Sequence, residues 1–191
     1  MTVFWLVVAS YLIGSIPVGY LLGRARGVDI RQHGSGNIGA TNVWRNLGPV
    51  YGAAAFLGDA GKGALAVWLG RHFGGHGPEL ATALAVLAGH SWPVFLGFKG
   101  GKIIATGLGV FLVLAPLAAL FALGLWLVVV ALFRYVSLGS MVAALSVPLW
   151  MFLLHQPAPY VAFGALVALI AVYKHRSNIK RLLEGTEPKI G

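Results

Sequence analysis

Three polar segments hold most of the side chains capable of chemistry in this chain of 191 residues. The first runs Gly34-Ser-Gly-Asn-Ile-Gly-Ala-Thr-Asn42, with Arg45 shortly after it. Gly34, Gly36 and Gly39 let backbone N–H groups converge, and Ser35, Asn37, Thr41 and Asn42 add neutral hydrogen-bonding groups. Such a segment can cradle a phosphate. The same residues equally make a tight loop and helix cap, with the polar side chains satisfying orphan amides. Residues 34–39 also spell G-x-G-x-x-G. A dinucleotide fold requires a strand before that pattern and an acidic residue on a later strand. Here an apolar helical run and a basic loop precede it, which excludes the dinucleotide reading.

The second segment is Gly89-His-Ser-Trp-Pro-Val-Phe-Leu-Gly-Phe-Lys-Gly-Gly-Lys102. Lys99 and Lys102 flank Gly100 and Gly101 at the expected start of a helix, where positive charge opposes the dipole unless an anion binds nearby. The alternative is that the lysines anchor a loop at the cytoplasmic interface. Ile103 and Leu96 occupy positions that a P-loop reserves for Ser/Thr and Gly, so this is not a P-loop. His90 lies before an aromatic, proline-containing turn, which suits a structural histidine as well as a ligand-binding one. The third segment is Lys174-His-Arg-Ser-Asn-Ile-Lys-Arg-Leu-Leu-Glu-Gly185. Helical spacing puts His175 and Asn178 on one face with Arg181 beside them. The bland alternative is a basic amphipathic tail on anionic lipid. Asp59 and Lys62, at i and i+3 inside an apolar run, form either a mutual ion pair or a site from which Lys62 reaches a bound phosphate.

Several chemistries are excluded. The chain has no Cys, which removes a cysteine nucleophile and thiolate zinc sites. It contains no G-x-S-x-G elbow, no H-E-x-x-H motif, and no histidine followed five positions later by Asp. The 5 carboxylates are too few and too scattered for a metal site, so neither a metal nor a cofactor is expected. Anion recognition without an evident strong base suits a substrate that arrives already activated.

These segments must be positioned by membrane helices. Hydrophobic residues make up 58% of the chain and charged ones 10%, with mean hydropathy +0.83, too little polarity to cover a water-facing surface. The apolar runs lack period-2 alternation, which excludes an outer-membrane barrel. Candidate spans cover 3–22, 50–69, 80–96, 136–154 and 160–173. The stretch 103–133 would make a helix of about 46 Å, against a hydrocarbon core of roughly 30 Å, and Pro116 near its middle favours a break. Treating it as two helices places 12 of the 14 basic residues on one side, leaving Arg71 opposite and Lys62 within a span. The positive-inside rule then gives an all-α bundle of about seven transmembrane helices, N-terminus outside and C-terminus cytoplasmic, as one domain over 1–191. Gly19 and Gly23, four apart, suit close helix packing. The excess charge of +9 is explained by topology and anionic head groups, and no nucleic-acid partner is expected.

Taken together, Ser35-Gly-Asn-Ile-Gly-Ala-Thr-Asn42, Gly89-His90 with Pro93-Val-Phe95 and Phe98-Lys-Gly-Gly-Lys102, and His175-Arg-x-Asn-Ile-x-Arg181-Leu-Leu-x-Gly185 resemble the bacterial acyl-phosphate:glycerol-3-phosphate acyltransferases. Gly14-Ser15 with Gly19, and Asp59 with Lys62-Gly63, look like that family too. The resemblance implies transfer of a fatty acyl group from a long-chain acyl phosphate to the sn-1 hydroxyl of glycerol 3-phosphate, at the cytoplasmic face of the bacterial inner membrane. It also implies that no cofactor is used, and a monomer is expected to suffice. His175, Ser35 and Asn37 are expected at the reacting centre. Gly36, Gly39, Thr41, Asn42, Arg45, Lys62, His90, Lys99, Gly100, Gly101, Lys102, Ser137, Ser140, Asn178 and Arg181 are expected around the substrates. His175 is either a general base or a phosphate ligand. The family pattern continues Lys-Gly-Gly-Lys-Gly, whereas this chain has Ile103. A β-branched residue is expected to bar a backbone conformation that needs Gly. A small transporter or flippase for anionic metabolites would use the same basic mouth, but it should show inverted repeats and paired midplane breaks. The chain offers only Asp59, Lys62 and Pro116, without symmetry.

Overall fold

The computed structural model describes residues 2–74 and 77–190, and among them the regular structure is helical, with no strand. The chain divides into two compact units, 1–113 and 114–191.

The first unit opens with α1 (Thr2–Ser15) and α2 (Val18–Ala25), one apolar run broken where Pro17 lacks an N–H. A 3₁₀ turn (Ile30–Gln32) leads into the glycine loop and α3 (Ala40–Leu47), which Gly48 ends with a positive φ. The 26 residues of α4 (Pro49–Gly74) come next, then α5 (Pro78–Ser91), which has Pro in its first turn. A 3₁₀ turn (Val94–Leu96) and the lysine loop connect α5 to α6 (Ile104–Leu114). α5 packs on both α1 and α4, and α3 lies on α4. α6 approaches α4 so closely that a Cβ on Gly109 would collide with the carbonyl of Ala60.

In the second unit, α7 (Pro116–Phe133) packs on α8 (Val136–Leu153), and α8 on α9 (Ala158–Lys174). α10 (Arg176–Leu183) leaves α9 at a bend of 57°. The stretch 103–133 is therefore two helices, as Pro116 demands. Ala115 has φ −147° and Pro116 starts the new helix, where its missing N–H would be unpaired in any case.

Among the described residues, four segments are long and apolar enough to cross a membrane: Val3–Ala25, Pro78–Leu96, Pro116–Phe133 and Val136–Leu153. The bent pair α9 and α10 adds a fifth if the two are counted as one span. α6 is apolar but shorter than a span, and α4 carries Asp59, Lys62 and Arg71. Large apolar side chains, among them Trp5, Leu57, Trp68, Leu132 and Phe152, point outward. This is the arrangement expected where hydrocarbon replaces water as solvent.

One expectation about packing is corrected. Gly19 lets α2 approach Val43 of α3, but the pair Gly19 and Gly23 serves chiefly the loop that follows α2. A Cβ on Gly19 would strike the carbonyl of Ile38 in the glycine loop, and one on Gly23 would crowd the carbonyl of Val28. The small residues on α2 let the following loop fold back onto the helix.

Candidate active site

Asn42 organises the glycine loop. It is buried, and its side-chain amide donates to the carbonyls of Ile30, His33 and Asn37 at 3.0, 3.0 and 2.9 Å. Its Oδ1 accepts from the backbone N–H of Ser35 (3.0 Å) and from Asn46 Nδ2 (3.1 Å). One side chain thus replaces backbone ladder bonds that a loop of this shape cannot make. Expected as a substrate ligand, Asn42 instead spends its polar atoms on the loop. Two further loop residues do the same in part: Asn37 Oδ1 accepts from Gly39 N–H (2.9 Å) just ahead of α3, and Ser35 Oγ accepts from Asn37 N–H (3.4 Å). The tight loop drawn from the sequence as an alternative to phosphate binding is therefore present, whereas α3 has no side-chain cap: its N-cap is Gly39. Gly34 and Gly36, with φ of +56° and +68°, turn the chain where a side chain would be strained. Ser35 remains exposed, Asn37 and Thr41 are half-buried, and Arg45 is exposed in the last turn of α3.

Ahead of this loop, Arg31 donates to both oxygens of the Asp29 carboxylate, at 3.0 and 2.7 Å. Those bonds hold the carboxyl at about 2. The guanidinium also lies 4.6 Å above the Tyr20 ring, so Arg31 is committed to the fold.

The lysine loop is carried on His90. The backbone N–H of Gly101 donates to the His90 carbonyl at 2.9 Å. No Cβ fits at Gly101, because it would overlap the His90 ring, or at Gly100, because it would overlap the His90 carbonyl and Pro93. The glycine pair is there for close approach, and it fixes the stems of exposed Lys99 and half-buried Lys102. Leu96, just before the loop, packs against the apolar cluster of Ile30, Ile38, Val43 and Ala55 under the glycine loop. One small core therefore holds the first two polar segments together.

Ile103 is a second correction. It follows Lys102 at φ +60°, with its side chain buried. The β-branched residue does not bar the left-handed conformation; the chain adopts it and bears the strain.

Below the lysine loop, Lys62 Nζ lies 2.7 Å from Asp59 Oδ1 and donates to the Ile16 carbonyl at 2.9 Å. Asp59 also stands 3.5 Å from His90 Nδ1, and all three side chains are buried. The ion pair read from the i, i+3 spacing is present. Lys62 and His90, expected around the substrates, are instead drawn into this cluster.

In the second unit, His175 is the joint between α9 and α10. Its Nδ1 donates to the Ala171 carbonyl at 2.7 Å, and its own carbonyl accepts from Asn178 N–H at 2.8 Å. A carbonyl can only accept, so the neutral ring carries its proton on Nδ1 and its lone pair on Nε2. His175 and Asn178 are both buried on one side of the bend.

A residue missed by the sequence reading sits beside them. The buried Glu187 carboxylate accepts from Ser137 Oγ (2.6 Å), Asn178 Nδ2 (2.7 Å) and Arg181 Nε (2.7 Å). Burial acts to raise its pKa, and the bonds from Ser137, Asn178 and Arg181 outweigh that, leaving it below the ordinary glutamate value. Three residues expected around the substrates thus hold a carboxylate of the chain itself. Ser140 is also engaged: it donates to the Val136 carbonyl (2.8 Å) and accepts from Trp126 Nε1 (3.3 Å). The signal for Glu187 was present only as one of 5 scarce carboxylates. Among the described residues, no group of three His, Cys, Asp or Glu could hold a metal ion.

Comparison with known proteins points one way. The family model described as glycerol-3-phosphate acyltransferase matches residues 4–185. A protein of that name from Desulforudis audaxviator is 55% identical over 99% of this chain and 96% of its own length. Its counterpart in Geobacter sulfurreducens is 50% identical, over 95% and 94%. Among solved structures, the crystal structure of PlsY, described as an integral membrane glycerol 3-phosphate acyltransferase in its glycerol 3-phosphate form, superposes with a TM-score of 0.97 at 40% identity, covering 100% of this chain and 96% of that one. The lysophosphatidic acid form of the same protein gives 0.94.

Proposed function

The chain belongs to the glycerol-3-phosphate acyltransferase family, and from that premise we propose that it esterifies the sn-1 hydroxyl of glycerol 3-phosphate with a fatty acyl group taken from acyl phosphate. The hydroxyl oxygen attacks the acyl carbonyl, and the bond from that carbon to the phosphate oxygen breaks with its electron pair leaving on phosphate. The products are 1-acyl-glycerol 3-phosphate and inorganic phosphate, which takes up the hydroxyl proton.

The observation that carries this reading is the pairing of two anion-accepting segments on one apolar core: the glycine loop with Arg45, and the lysine loop with Lys99 and Lys102. Asp29, the nearest carboxylate in sequence to the glycine loop, is neutralised by Arg31. Arg45 and Lys102 are assigned the phosphate of glycerol 3-phosphate. Ser35, Thr41 and the loop amides are assigned the acyl-phosphate head and the oxyanion that develops on its carbonyl. Phosphate is a good leaving group, so orientation and charge stabilisation supply most of the acceleration. For His175, protonation on Nδ1 leaves Nε2 as an acceptor, the state required of a base or of a partner for a substrate hydroxyl. The bilayer is assigned as the bacterial inner membrane, with the basic loops on the cytoplasmic face.

The test is direct. Purified protein in detergent, given palmitoyl phosphate and glycerol 3-phosphate, should release inorganic phosphate in step with formation of the lysophosphatidic acid. Release that does not depend on glycerol 3-phosphate, or no release, overturns the reading. His175→Ala with near-normal turnover at saturating substrate would remove the base assignment while leaving the reaction.

A further inference from the structure

We infer that the buried carboxylate of Asp59 is a positioning residue for the lysine loop, acting through His90, and that Lys62 serves this carboxylate and not the substrate. The inference rests on the proposed role of that loop in holding glycerol 3-phosphate.

The geometry forms a chain of four contacts from the α1–α2 break to the loop. Lys62 Nζ is held by the Ile16 carbonyl at 2.9 Å and by Asp59 Oδ1 at 2.7 Å. Asp59 Oδ1 faces His90 Nδ1 at 3.5 Å. The His90 ring is the surface on which Gly101 lies without room for a Cβ, and the His90 carbonyl receives the Gly101 N–H. Gly101 is flanked directly by Gly100 and Lys102, so the ring's orientation bears on the backbone from which Lys102 projects. Asp59 is 2% exposed, Lys62 7% and His90 4%, so the three side chains at the centre of the chain of contacts are shielded from solvent.

Energetics favour a positioning role over a purely cohesive one. A buried ion pair contributes little net stability compared with two apolar side chains of the same volume. Cohesion alone therefore gives weak reason for two charges here. At 3.5 Å Asp59 Oδ1 and His90 Nδ1 do not form a hydrogen bond, and the carboxylate biases the ring's orientation through its charge. Here the oriented ring supports the backbone that carries Lys102.

The experiment compares the wild-type enzyme with Asp59→Asn and with the double variant Asp59→Asn/Lys62→Met, measuring kcat, the KM for each substrate and the melting temperature in detergent. Inactive wild-type protein would overturn the proposed reaction, a result distinct from failure of this inference. Asp59→Asn leaves Lys62 buried without its carboxylate and is expected to melt earlier. The double variant removes both charges and should recover the melting temperature to within a few degrees. If Asp59 positions the loop, the KM for glycerol 3-phosphate stays raised about tenfold in both variants, while kcat and the KM for acyl phosphate stay within about twofold. A double variant with wild-type KM for glycerol 3-phosphate overturns the inference. So does a parallel decline in all three kinetic constants, or a double variant that does not fold, since either result makes the cluster architectural.

Discussion

At the scale of single residues, this chain uses polar side chains mainly on itself. Asn42 holds a loop, Arg31 holds Asp29, and Ser140 bridges Trp126 and its own helix. Ile103 shows the energetic consequence of such constraint. At φ +60° its Cβ is strained by about 1–2 kcal/mol, while its buried side chain contributes about 1.5–3 kcal/mol. Removing the side chain while keeping a Cβ loses the burial and retains the strain; removing both offsets one against the other. Ile103→Gly should therefore be more stable than Ile103→Ala by about 1 kcal/mol, the reverse of the order within a helix. Thermal melting of the two variants decides it, and equal or inverted stabilities would show that position 103 is not held in the left-handed region. The residue types of the candidate site could be listed in advance, and the Asp59–Lys62 pair followed from its i, i+3 spacing. What each polar atom faces was not, because an amide that binds a ligand and one that binds its own loop have the same sequence.

At the scale of elements, the C-terminal segment is pinned to its unit by one carboxylate. Glu187 receives three hydrogen bonds, from α8, from α10 and from the last turn of α10, and in addition the Ile190 N–H donates to the Arg134 carbonyl at 2.8 Å. The native carboxyl titrates below the unfolded value, so its stabilisation is complete above the ordinary glutamate pKa of 4.5 and is lost as pH falls through the lower native value. Glu187→Gln should cost about 1–3 kcal/mol at neutral pH, since the bond from Arg181 loses its ionic partner. The gap in melting temperature between wild type and variant should then close below pH 4.5. A gap that stays constant across that range would rule out the ionised carboxylate as the pin. Elements were more legible than contacts. Pro116 announced the break between α6 and α7 because a missing N–H acts locally. Glu187 meets Ser137 across 50 residues of chain, a distance that no local pattern encodes.

At the scale of the molecule, composition carries the environment: 58% hydrophobic residues and outward Trp and Leu side chains require lipid as solvent. The proposed orientation is testable because the chain has no native Cys. Single substitutions Gln32→Cys and His72→Cys, both at exposed positions, should react with a membrane-impermeant thiol reagent from opposite sides: residue 32 only in inverted vesicles, residue 72 only in intact spheroplasts. Labelling of both from the same side would overturn the arrangement. By itself the sequence determined the solvent, the helical class, the break at Pro116 and the three polar segments that are candidates for chemistry, because hydropathy, backbone restriction and residue type act within a few residues of where they are written. Only the tertiary structure decided which groups those segments keep for themselves. It brought Leu96 under the glycine loop, His90 under Gly101 and Glu187 onto Ser137, Asn178 and Arg181. Buried polar atoms must find partners, and the partner that wins is set by which helices pack against which.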